Sequence, residues 1–174
     1  MPLQTPPVVV IGPSGAGKST LVNMMIEKKM AVLHPTITTR PQRSDDDTSH
    51  LFVPLDTFNG LKANRHLIGV SQVFGYWYAL PELPDTSERI IVILRASFVE
   101  EFRSYYPTAI VVEVEAPIKI LQERLRRRGD AERADAKELQ DEIDRGRMLA
   151  DYIIDTTNPL GDNVELLETI CKTY

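Results

Sequence analysis

The sequence predicts a three-layer α/β fold, a parallel sheet with helices on both faces, and three observations carry that expectation. Val8–Ile11 and Ile90–Leu94 are short continuous apolar runs of the kind buried on both faces of a parallel sheet. Each run gives way to a stretch whose apolar residues recur at helical spacing. A glycine-rich loop, Gly12–Gly17, joins the first run to the first such stretch. Strands that alternate with helices favour parallel pairing through right-handed crossovers.

The elements follow in order. After Val8–Ile11, a helix starts at Lys18 and carries Leu21, Val22, Met25 and Ile26 along one side. Ile90–Leu94 is the second core strand, followed by a helix through Phe98, Phe102 and Tyr105 that Pro107 stops. Ala109–Val114 is a third strand, and Ile118–Arg128 a helix with Ile120, Leu121 and Leu125 in its apolar stripe. The polar stretch Gly129–Ala136 precedes a charged helix over Lys137–Leu149. Tyr152–Ile154 is a last strand and Val164–Cys171 a closing helix. The segment from His34 to Leu80 breaks this rhythm, with Leu51–Val53, Ile68–Phe74 and Tyr76–Leu80 as strand-like runs. It is expected to form a small antiparallel insert above the sheet where an acceptor is gripped. The expected organisation is one domain over 1–174: a core of 6–33 and 88–174, an insert over 34–82, and a helical lid at about 126–147.

With 174 residues, 43% hydrophobic and 26% charged, the chain has the size and composition of a single globular domain. A net charge of −5 gives no electrostatic case for nucleic acid or an anionic membrane. No apolar run approaches the length of a bilayer span, so a cytoplasmic protein is expected. Cys171 has no cysteine to pair with and is expected to pack as a small apolar residue.

The loop is the sharpest signal. Gly12-Pro13-Ser14-Gly15-Ala16-Gly17-Lys18-Ser19, followed by Thr20, fits G-x-x-x-x-G-K-[ST], a P-loop. Its glycines let successive backbone N–H groups face a phosphate, at a helix N-terminus that adds positive potential. Lys18 is placed for the β- and γ-phosphates, and Ser19 for Mg²⁺ beside ATP. The expected fold is therefore that of the P-loop NTPases.

Further cations stand where a second phosphate would need them. Arg40 and Arg43 offer planar, bidentate donors, and Arg124 and Arg128 lie four apart near the end of a helix, able to close over a transferring group. An acceptor that is itself a phosphate is already an oxyanion, so positioning and charge stabilisation can replace a general base.

These residues resemble the guanylate kinase family. The wording GPSGAGKST resembles its phosphate loop. Thr36-Ile-Thr-Thr39-Arg40-Pro-Gln-Arg43 is similar to its acceptor-phosphate motif, and Gly75-Tyr-Trp-Tyr78 to its Gly-Asn-x-Tyr motif. Arg124-Leu-Arg-Arg-Arg128-Gly129 is similar to the start of its lid, and Asp151-Tyr152-Ile-Ile to its final strand. The resemblance implies an ATP- and Mg²⁺-dependent kinase of GMP type. Lys18, Arg124 and Arg128 would act on the transferring phosphoryl group, and Thr36, Arg40, Arg43, His50 and Tyr78 would hold the acceptor. A nucleotide donor and a small phosphorylated acceptor are the implied partners.

The departures concern guanine. The family's two base-reading acids fall near Gly69 and Ile93, the second being associated with the metal as well; Leu80 replaces a hydroxyl residue, and His50 a tyrosine. Each lost charge-assisted bond is worth about 1.5–3 kcal/mol, which weighs against tight GMP selection. Ile37-Thr-Thr-Arg40-Pro41, His50 and Arg95-Ala96 are similar instead to the ribose 1,5-bisphosphate phosphokinases. A non-catalytic guanylate-kinase-like binding module is the remaining alternative, disfavoured by the intact P-loop. His34, His50 and His66 lack metal-ligand spacing, and Asp45–Asp47 are expected to be solvated.

Overall fold

The structure is a computed structural model that describes residues 5–42, 49–64 and 67–174. In chain order its elements begin with β1 (Val8–Ile11), α1 (Lys18–Glu27), β2 (Val32–Leu33), β3 (Thr36–Thr38), β4 (His50–Phe52) and α2 (Leu55–Asn64). There follow β5 (Leu67–Val73), β6 (Tyr76–Pro81), β7 (Ile90–Ile93), α3 (Val99–Tyr105) and β8 (Ile110–Glu115). The chain ends with α4 (Ile118–Arg127), α5 (Ala136–Leu149), β9 (Tyr152–Asp155) and α6 (Leu160–Thr173). Single 3₁₀ turns at Ala96–Phe98 and Ala131–Arg133 lead into α3 and towards α5.

Five strands form the core sheet in the order β2-β7-β1-β8-β9, and every pair is parallel. The first strand in sequence is therefore the middle one in space, with Val10 beside both Ile93 and Val112. Alternation sends its side chains to opposite faces. Val8 and Val10 pack with Leu21 of α1, Leu125 of α4 and Leu167 of α6. Val9 and Ile11 pack with Phe102 of α3 and with Ile68 and Leu80 from the other sheet. Burying a side chain of this size contributes about 1.5–3 kcal/mol. Cys171 is buried in α6, as its apolar reading requires.

The second sheet has the order β4-β3-β6-β5 and corrects the expected antiparallel insert. β3 pairs antiparallel with β6, and β6 with β5, but β3 and β4 run parallel. A parallel pair needs a crossover rather than a hairpin. The helix α2 was also not anticipated: Thr57, Asn59 and Gly60 are weak helix formers, overridden here by burial of Phe58 against Ile37, Ala79 and Trp77. Smaller differences are the 3₁₀ turn before α3 and the start of α6 at Leu160 rather than Val164. Among the described residues no helix is long and apolar enough to cross a membrane.

One core position defies the apolar rule. Glu113 of β8 is fully buried, and among the described residues neither carboxylate oxygen has a hydrogen-bond partner. Its head lies against α5 at Gly146, where a Cβ would come 2.1 Å from Oε2, so only glycine leaves room for it. Two residues on, Glu115 has a very different setting, a bidentate pair with Arg147 at 2.7 Å to each oxygen. Burial pushes the Glu113 carboxyl from 4.5 up to about 8, and the charges of Glu115 and Glu142 add to the effect, while Lys18 and Arg147 oppose it.

A carboxyl that stays protonated in the folded protein while ionising in the unfolded chain costs stability as pH rises. The loss runs from pH 4.5 to about 8, at no more than about 1.4 kcal/mol per pH unit. Glu113→Gln should therefore flatten the fall in melting temperature between pH 5 and pH 8. A variant that loses stability as steeply as the parent would show that this carboxyl titrates normally.

Candidate active site

The loop between β1 and α1 turns where only glycine fits. Gly12 has φ 136°, and a Cβ there would lie 2.0 Å from the carbonyl oxygen of Val114 in β8. That contact presses the loop onto the C-terminal edge of the sheet, the usual place for ligands in open parallel sheets. Gly17 caps α1 in a left-handed conformation, and the first turn of α1 holds no acidic side chain. The positive end of the helix therefore faces the cavity unneutralised. Lys18 is half-buried, its Nζ donating to the carbonyls of Gly12 at 2.6 Å and Pro13 at 2.9 Å. Burial lowers its pKa from the ordinary lysine value, partly offset by the negative charges of Glu142 and Glu113. Ser19 and Thr20 are exposed on the same rim.

Thr156, after β9, clamps this loop from behind. Its Oγ1 lies 2.9 Å from the Ala16 carbonyl, and Arg124 donates to that same hydroxyl at 2.9 Å. Arg124 donates also to the carbonyls of Gly15 and Thr156, each at 3.2 Å. This arginine braces the phosphate loop and is not among the residues that line the cavity. Arg128 does line it; the residue is the C-cap of α4, just past the last helical turn, and pairs with Asp130 at 2.6 Å. The two arginines thus differ: Arg124 braces the loop and Arg128 lines the cavity.

Thr36, Arg40, His50 and Tyr78 line the same cavity as the P-loop. Strand register assembles them, with Thr36 beside His50 and Thr38 beside Tyr78. The His50 ring meets Tyr78 edge-on at 5.9 Å, and Ser49 Oγ lies 2.9 Å from its Nδ1. Arg40 is buried, with its guanidinium 5.2 Å from the Phe52 ring and Nη1 donating to the Pro41 carbonyl. Its backbone is set by Thr38, which accepts from Arg40 N and donates to the Trp77 carbonyl. Arg43 and Asp45–Asp47 lie outside the described residues, as does His66. His34 stands apart, bonded to the Pro81 carbonyl.

The cavity holding both groups has a volume of about 1170 Å³, wide enough for two phosphorylated ligands. Its wall at β5 and β7 carries Gly69 and Ile93, so neither position supplies a carboxylate. The helix α5 also lines the cavity, with Glu138, Asp141, Glu142 and Arg145 spaced to share one helix face. Thr38, Thr156 and Glu113 went unremarked in the sequence. Their roles come from partners far along the chain, although the alternation Val112-Glu113-Val114-Glu115 was a visible irregularity in a central strand.

Comparison with known proteins matches this architecture. The guanylate kinase family model matches residues 4–174. The guanylate kinase of Carboxydothermus hydrogenoformans is 30% identical over 143 residues, covering 76% of this chain and 70% of its own. The ribose 1,5-bisphosphate phosphokinase PhnN of Rhodopseudomonas palustris is 29% identical over 175 residues, covering 94% and 87%. In fold, the guanylate kinase of Anaplasma phagocytophilum superposes with a TM-score of 0.73 at 21% identity, over 97% of this chain and 85% of that one. With a match that runs from before β1 to the last residue of the chain, this protein belongs to the guanylate kinase family of P-loop kinases.

Proposed function

We propose that the chain transfers the γ-phosphoryl group of MgATP to a phosphate already carried by a small acceptor, with a ribose bisphosphate favoured over GMP. One observation carries the reading: the P-loop and the Thr36–Arg40–His50–Tyr78 cluster line one cavity. Two phosphorylated ligands repel one another, so cationic and hydrogen-donating groups are needed at both ends.

The donor end would use the backbone N–H groups of Gly12–Thr20 and the Lys18 ammonium. A phosphate oxyanion is a stronger acceptor than the two carbonyls that hold Nζ in this structure. Ser19 is the side chain placed to hold Mg²⁺. Among the described residues no group of three His, Cys, Asp or Glu side chains could enclose a metal, so phosphates and water would complete the shell. The ion when bound neutralises charge on the donor phosphates. Arg40 and Tyr78, with His50 and Thr36, would hold the acceptor phosphate, joined by Arg43. One oxygen of that phosphate bonds to the γ-phosphorus as the bridge to the β-phosphate breaks, its electron pair leaving with ADP. Arg128 lines the cavity, and Arg124 keeps the loop in shape by holding Gly15.

Two features support the sugar bisphosphate. The wall that would read a purine base presents Gly69 and Ile93 instead of acids. The relative named for ribose 1,5-bisphosphate also aligns over 94% of this chain. GMP stands as the second reading because several of the similar curated proteins are guanylate kinases.

An ADP-release assay across nucleoside monophosphates and ribose phosphates should show turnover that depends on a phosphorylated acceptor, fastest with ribose 1,5-bisphosphate. Tight MgATP binding without turnover on any acceptor would favour a binding module instead. Lys18→Ala should lower kcat by about 10²–10³-fold or more with the fold intact. Arg40→Gln should raise the acceptor KM by about 10- to 100-fold and leave the KM for ATP unchanged.

A further inference from the structure

The cavity also holds a cation that neither phosphate cradle uses. Arg95 lies two residues past the end of β7, in extended conformation at the start of the Ala96–Phe98 turn, and is exposed on the cavity wall. Among the described residues its guanidinium has no hydrogen-bond or ion-pair partner. The other described arginines of the cavity are all engaged. Arg40 lies over Phe52, Arg128 pairs with Asp130, Arg133 lies over Phe74, and Arg145 stands 3.8 Å from Glu100. Arg95 is near enough to Lys18 for its charge to depress the lysine pKa, so the two cations repel across the site. A charge held in that position without an internal partner is stabilised most by an anion from outside.

Its surroundings say which part of a ligand it meets. Ile93 lies two residues before it, and Phe98 three residues after. Phe98 packs on Gly69, where β5 bulges and φ is 64°. A Cβ at Gly69 would stand 2.9 Å from Phe98 Cγ, so no acidic side chain enters there without displacing the ring. The hydroxyls of Ser71 and Ser97 line the same cavity. The N–H edge of a purine such as guanine needs acceptors, and an arginine has none to offer. This wall suits an anion.

We propose that Arg95 binds a second anionic group of the acceptor, the phosphate remote from the one that reacts. The inference rests on the kinase reading above and assigns Arg95 as the residue that makes an acceptor with two phosphates better than one with a single phosphate. Arg40 and Tyr78 hold the reacting end, Arg95 the far end, and the sugar spans the space between.

The test compares the wild-type protein with Arg95→Gln and Arg95→Lys on ribose 1,5-bisphosphate, ribose 1-phosphate and ribose 5-phosphate, each by turnover and by calorimetric binding. Arg95→Gln should lower kcat/KM for the bisphosphate by about 10- to 100-fold, mainly through KM. It should leave the KM for ATP and turnover of the monophosphates unchanged, and Arg95→Lys should recover part of the loss. An equal loss with all three acceptors, or a rise in the KM for ATP, would overturn the proposal. Such a result would place Arg95 on the transferring phosphoryl group or on the acids of α5. Undiminished bisphosphate binding by Arg95→Gln would also overturn it. Turnover of GMP with no binding of any ribose phosphate would overturn both this assignment and the sugar preference, leaving the kinase reading intact. Should no acceptor turn over, the kinase reading fails, while loss of bisphosphate binding in Arg95→Gln alone still supports the subsite.

Discussion

The close approach of Gly12 to the Val114 carbonyl is the contact on which the rest of the cavity depends. It lets the chain leave the central strand and turn back at once over the edge of β8, so that α1 begins only a few residues later. Gly12 and Pro13 then present the carbonyls that hold Lys18, and Ala16 and Gly15 present those that engage Thr156 and Arg124. Those four carbonyls of the loop thus have partners. The loop is pre-shaped before a phosphate arrives, which lowers the cost of ordering it on binding.

The two ends of the cavity are built differently. The P-loop end is fixed by a parallel sheet buried on both faces and by backbone geometry. The end with Thr36, Arg40, His50 and Tyr78 rests on a smaller sheet with its own modest apolar cluster around Phe58. Side chains dominate there: Thr38 sets Arg40, and strand register brings His50 to Tyr78. Binding specificity is more easily altered at such an end, because single substitutions at Gly69, Ile93 or Arg95 change the wall without touching the sheet that holds the loop. A net charge of −5 does not oppose anionic ligands, since the cavity gathers Lys18, Arg40, Arg95 and Arg128 in one place.

Much of this was legible in the residues. The P-loop is a local pattern with a local mechanism, and the core strands were short apolar runs that only a doubly covered sheet accommodates. Thr36, Arg40, His50 and Tyr78 could be singled out through their resemblance to a known motif, but not the geometry that joins them, which depends on the register of β3 with β4 and β6. The helix α2 was hidden by weak helix formers, and the parallel β3–β4 pair by a connection that looked like a loop. Arg124 and Arg128 shared a spacing that suggested one role. Thr156, distant in sequence, holds the first against the loop. Glu113 was the least legible of all, because alternating glutamates ordinarily mark a solvent face, whereas β8 lies between β1 and β9.

In the proposed reaction one cavity seats two phosphorylated ligands at once. Trp77, the single tryptophan, stacks on Phe58 at 6.0 Å and precedes Tyr78, so its fluorescence reports on the Tyr78 end of the cavity. The decisive measurement is a Trp77 titration with ribose 1,5-bisphosphate, with and without a saturating unhydrolysable MgATP analogue. The bisphosphate should still bind saturably when the nucleotide analogue fills the P-loop. Displacement of one ligand by the other, with no ternary complex formed, would contradict it.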